Sequence, residues 1–232
     1  MPDKNEKEAY RVDIPLEIDA DSIIKFLRFR GTNERLESIA RELINKATSV
    51  ARPKAIYMVS QAHRVERDTV EVDDVRFSSR VLNKLIDTPK TVYPLITTIG
   101  PELDELTALP RDMWRNLCLD TIKTIVLISG IEYLSGYLKD KYSLESTAYM
   151  NPGEIDDFPI SQQVPLFSLF DGAEKQIGVS LTKGGAMKPI KSRSGIMFPD
   201  DTGFLSCRLC TQPRCPGRRA AYDPELEKEM LS

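Results

Sequence analysis

Three cysteines fall within nine positions near the C-terminus, in the pattern Cys207-x2-Cys210-x4-Cys215-Pro216. The two-residue spacer puts two thiols on one tight turn with the third within reach, and clustered thiolates suit soft, thiophilic centres. The trailing proline echoes the Cys-Pro that ends ferredoxin cluster motifs. A structural zinc site is almost always closed by a fourth ligand, and the only histidine, His63, is far away in sequence. Cys207, Cys210 and Cys215 therefore read as ligands of an iron–sulfur cluster, with zinc as the alternative and unligated thiols as a third reading. Cys118 shares a face with Ile122 and Ile125 and reads as a buried free thiol. Arg208, Arg214, Arg218 and Arg219 surround the motif, where positive charge would stabilise an anionic cluster.

The charge balance points to a partner. Between positions 175 and 222 nine cations face only Asp200 and Asp201, a net charge of +7, while the whole chain carries −3. A basic C-terminal region on an otherwise acidic chain is expected where an anionic ligand or partner docks, with a solvated face as the plainer reading. Nucleic acid is disfavoured, because aromatic residues do not interleave with the cations. The sequence shows no nucleophile elbow, phosphate-cradling loop or triad histidine, which sets aside classical hydrolases and nucleotide enzymes.

A chain of 232 residues buries a core without disulfide staples. Met1 to Arg11 is dense in charge and lacks the apolar core of a secretory signal. Cytoplasmic residence is expected, and it argues against bridges among the thiols. The most apolar stretch, Ile122 to Ile131, is broken by Lys123 and Ser129 and falls short of the ~20 apolar residues that span a bilayer, so no membrane helix is expected.

The elements that must position these groups are of both types. Leu36, Ile39, Ala40, Leu43, Ile44, Ala47 and Val50 recur at helical spacing after Gly31 and Thr32. Ala55 to Val59 and Thr91 to Thr98 are rich in β-branched and aromatic residues and predict strands, with a hairpin near Arg67-Asp68 between them. A short helix is expected over 79–87, and a long central one from about Arg111 to Lys141, apolar on more than one face and free of proline. Asn151-Pro152-Gly153 marks a turn, Gln162 to Phe170 a short helix, and Gln176 to Leu181 and Ser192 to Phe198 two further strands. The fold class is α+β: one domain over residues 1–200, with a cysteine-bearing tail, 201–232, packed on it.

Several short motifs stand in one order along the chain: Leu27-Arg28-Phe29-Arg30-Gly31, Thr98-Ile99-Gly100-Pro101-Glu102-Leu103, Asn151-Pro152-Gly153, Gln163-Val164-Pro165-Leu166-Phe167, Ile177-Gly178-Val179-Ser180-Leu181-Thr182 and Met187-Lys188-Pro189-Ile190-Lys191-Ser192. From about residue 20 to 200 the chain resembles the activation-domain family of cobalamin-dependent methionine synthase, most closely its short free-standing members. The resemblance implies a C-shaped architecture around a central antiparallel sheet with flanking helices. It also implies S-adenosylmethionine bound beside a cobalamin carried by a partner, a geometry that serves reductive methylation of inactive cobalamin.

Carried over residue by residue, the family's Arg-x-x-x-Gly-Tyr motif falls on Tyr149 to Glu154: Pro152 and Gly153 stand in place, but Tyr149 occupies the arginine position and Glu154 the tyrosine position. The charge-assisted bidentate clamp on the ligand's carboxylate is missing, so S-adenosylmethionine is expected to bind weakly. Glu132 matches a family acidic residue on the long helix, beside Ser129, Gly130, Ser135 and Gly136, with a solvated helix glutamate as the plainer reading. Met187, Pro189, Ser192 and Ser194 match positions near the cobalamin side. The function expected is an accessory protein of a corrinoid methyltransferase system, a reductive activase or a methyltransferase subunit. It would bind a corrinoid protein and pass electrons to its cobalt through the cluster, with an electron-donor protein as a further partner. The alternative is a non-redox binding module for a corrinoid protein or S-adenosylmethionine, with a zinc-stabilised tail.

Overall fold

The computed structural model describes residues 8–16, 18, 21, 23–24, 34–109, 111–215 and 217–232. The motif from Leu27 to Gly31, Thr32 before the expected first helix, and Pro216 lie outside the described residues. In chain order the elements are β1 (Ala9–Asp13), α1 (Glu34–Val50), β2 (Lys54–Met58), β3 (Ser60–Glu66), β4 (Thr69–Val72), β5 (Val75–Ser78), α2 (Arg80–Leu85), β6 (Lys90–Thr98), α3 (Pro101–Asp104), α4 (Met113–Tyr142), β7 (Thr147–Met150), α5 (Gln163–Phe170), β8 (Ser180–Leu181), β9 (Met187–Lys188), β10 (Ser192–Pro199) and α6 (Pro224–Leu231).

The β-branched and aromatic run of β6 is the hub of an eight-stranded sheet. One edge of β6 pairs with β3 over Lys90 to Val92 and with β2 over Leu95 to Thr98, and the other edge pairs with β10. Strands β1, β4, β5 and β7 extend the sheet outward, every pairing being antiparallel. Successive side chains point to opposite faces. On one face Ile56, Val92, Ile96, Ile196 and Phe198 pack with α2 and α5, in a cluster that also buries Phe204, Leu209 and Met230 of the tail. On the other face Tyr57, Tyr93, Leu95 and Met197 meet Leu134 and Leu138 of α4. The fold is α+β.

Helix α4 has 30 residues and spans about 45 Å at 1.5 Å per residue. Asp112 caps its start by accepting the Arg115 N–H at 2.9 Å. Its N-terminal half packs Cys118, Leu119, Ile122 and Val126 against Ala40, Leu43, Ile44 and Ala47 of α1, and its C-terminal half lies on the sheet. That double contact explains why its sequence is apolar on more than one face. Among the described residues no helix is long and apolar enough to cross a membrane.

The expected strand over Gln176 to Leu181 is reduced to Ser180–Leu181, because residues 173–177 form a 3-10 turn. Gly172 and Gly178 bracket it in the left-handed region, and a side chain at Gly178 would begin 2.7 Å from Pro101 Cγ. Ile177 and Val179 are fully buried and mimic a strand pattern in sequence.

Candidate functional site

In the β7–β10 register Tyr149 stands opposite Met197, and strand alternation puts Arg193, four residues earlier, on the same α4-facing side. A cavity of about 510 Å³ opens between this part of the sheet, α4 and the tail. Glu132, Ser135 and Lys139 line it from α4, Tyr149 and Arg193 from the sheet, and Arg219 from the tail. Gly136 and Gly217 line it as well, where no side chain occupies the space.

Tyr149 is flanked by two guanidinium groups, Arg193 at 5.0 Å and Arg219 at 4.9 Å from the ring centroid. Arg193 is already engaged, donating from Nη2 to Glu154 Oε1 at 3.0 Å, while Glu154 also accepts from the Asn151 amide. Burial works against the charge on Arg193, but the Glu154 carboxylate together with the neighbouring Tyr149 and Cys207 outweighs it and holds the guanidinium's pKa above its ordinary value. Glu154 is thus the counter-ion of a strand arginine.

The tail reaches the cavity because Arg218 ties it together. Its guanidinium donates to the backbone carbonyls of Cys207, Cys210, Gln212 and Ala220 at distances between 2.6 and 3.2 Å. The Arg219 N–H donates to Cys207 Sγ at 3.5 Å. Among the described residues the Arg219 guanidinium makes no hydrogen bond or ion pair, and neither does the Glu132 carboxylate across the cavity.

The residues singled out from sequence divide between two faces of the sheet. Glu132 and Tyr149 come together at the cavity. Pro152 is buried, and Gly153, at φ 83°, donates its N–H to Phe158 O at 2.7 Å in the turn after β7. Ser192 and Ser194 point to the α5 side, where their hydroxyls meet Thr98 Oγ1 and Gln163 Oε1, each at 2.8 Å. Met187 packs against the α5-side cluster and Pro189 is buried. In the sequence Arg193 is one of the nine cations of the basic region, and Arg219 is another that also stands among the arginines around the cysteine motif. Nothing local shows that both reach Tyr149, since the sequence separations are 44 and 70 residues.

The thiols do not converge. Cys207 is buried, Cys210 packs half-buried against the α5-side cluster, and Cys215 is exposed. Among the described residues no group of three or more His, Cys, Asp or Glu side chains is placed to hold a metal ion. As placed, the donor set fits neither an iron–sulfur cluster nor zinc. His63 lies half-exposed on β3, 3.7 Å from Glu71.

No protein-family model and no curated protein matches the chain. Among solved structures, the crystal structure of the MetH reactivation domain bound to AdoHcy matches with a TM-score of 0.63 and 15% identity, covering 87% of this chain and 82% of that one. At that identity the likeness shows a shared fold.

Proposed function

We propose that the chain is an accessory protein of a corrinoid methyltransferase system, binding an S-adenosyl ligand in the α4–tail cavity and docking on a corrinoid protein. The observation that carries this reading is the meeting of Glu132 and Tyr149, positions matched to the family's ligand motifs, in one cavity large enough for a small molecule. The fold shared with a reactivation domain that binds AdoHcy supports it. The cavity keeps a carboxylate on one wall and guanidinium groups on the other, the charge pattern that a zwitterionic amino-acid end requires. The corrinoid, carried by the partner, would supply the methyl-accepting chemistry. The chain's own residues bind and orient the ligand. No step is assigned to an iron–sulfur centre or zinc, because the thiols as placed do not make a site for either.

Two measurements on the full chain test the proposal. Calorimetry is expected to show S-adenosylhomocysteine binding with 1:1 stoichiometry, and size-exclusion chromatography is expected to show a complex with a corrinoid-loaded methyltransferase module. No heat at millimolar ligand removes the ligand half of the reading. Separate elution at every ratio removes the docking half.

A further inference from the structure

We propose that Arg219, delivered by the C-terminal tail, is the carboxylate-binding residue of the cavity. The inference rests on the reading that the cavity takes an S-adenosyl ligand, and it goes beyond that reading by making the tail part of the binding site. Three arginines come to this wall, and two are already in use. Arg193 is paired with Glu154 at 3.0 Å, and Arg218 is spent on four backbone carbonyls of the tail. Arg219 alone of the three brings a guanidinium with no hydrogen-bond acceptor among the described residues.

Its position is nonetheless defined. The Tyr149 ring supports the guanidinium at 4.9 Å, and the Arg219 N–H is held by Cys207 Sγ at 3.5 Å. A guanidinium held over an aromatic face by a cation–π contact keeps its N–H donors available for a bidentate carboxylate. Lys139 also lines the cavity, but among the described residues no aromatic ring supports its ammonium. Opposite, Glu132 supplies the anion that an α-ammonium group would meet. The arginine absent from position 149 is thus replaced by one from 70 residues further along the chain, with Tyr149 as its platform.

Calorimetry with two probes tests this: S-adenosylhomocysteine, and 5′-methylthioadenosine, which keeps the adenosine and thioether but lacks the amino acid. A charged hydrogen-bond pair of this kind is worth about tenfold to a hundredfold in affinity. Arg219→Ala keeps the backbone N–H to Cys207 and is expected to weaken S-adenosylhomocysteine by that factor while leaving methylthioadenosine within about twofold. Arg219→Lys is expected to recover part of the loss. An equal loss for both probes, or none for S-adenosylhomocysteine, overturns the role of Arg219 while the ligand reading stands. Wild-type protein binding both probes with equal affinity does the same, because no carboxylate is then recognised. Wild-type protein that binds neither probe removes the ligand reading and this inference with it.

Discussion

The four cysteines range from buried to exposed, so their chemistry is set by burial rather than by spacing. Cys118 is fully buried between α1 and α4, and burial pushes its thiol up to about 11. At pH 8 such a thiol is ionised to about one part in a thousand, and it is shielded as well. Cys215 is exposed, Cys210 is half-buried and Cys207 is buried. Titration of the native chain with a thiol reagent at pH 8 is therefore expected to label Cys215 first, Cys210 more slowly, and Cys207 and Cys118 only on unfolding. Protection of Cys207, Cys210 and Cys215 as one set, released together by a chelator, would show instead that a metal gathers them. The sequence revealed the fate of Cys118, because neighbours at helical spacing declare an apolar face. It did not reveal that of the tail thiols, because in an irregular segment spacing states how close two sulfurs can come and not which way they point.

Periodicity made the long elements legible at their own scale. The expected helix from Arg111 to Lys141 is α4 at Met113–Tyr142, and the expected strand from Ser192 is β10. Short edge strands such as β1 and β7 carry too few residues to declare a period, and they take their form from the neighbours they pair with. The tail is the extreme case. Between Phe204 and α6 it holds little regular structure, and the Arg218 guanidinium bonding four carbonyls replaces the backbone ladder that a helix or strand would provide. Removing it leaves those acceptors without their donor. Arg218→Ala is expected to raise the rate of limited proteolysis within residues 205–222 by about tenfold, since each lost charged hydrogen bond is worth about 1.5 kcal/mol or more. Cleavage no faster than in the wild-type chain would mean that apolar contacts of Leu209 and Met230 hold the tail unaided.

Over the whole molecule the basic C-terminal region turns out to be partly internal. Lys191 pairs with Asp120 at 2.8 Å, Arg193 with Glu154, and Arg208 with Asp223 at 2.6 Å, so three of its cations join the tail, sheet and helices rather than facing a partner. Asp223 is the junction most open to test. Its Oδ1 accepts the Leu226 N–H at 3.0 Å as the N-cap of α6, and its Oδ2 accepts from Arg208. At the other end of α6, Arg80 of α2 donates to Leu231 O at 2.8 Å, a cation at the helix C-terminus. The capping N–H and then Arg208 hold the Asp223 carboxyl below its ordinary value of 3.8. A carboxylate with a lowered folded-state pKa contributes stability above its unfolded value, and that stability is lost as pH falls through the folded value. The Tm difference between the wild-type chain and Asp223→Asn is therefore expected to be constant from about pH 6 to pH 5 and to close below about pH 4. Because α6 anchors the end of the tail that carries Arg219, hydrogen exchange along residues 205–231 should quicken over the same interval. A Tm difference that persists unchanged to pH 3, or a tail that stays protected while it closes, would separate Asp223 from the docking of the tail.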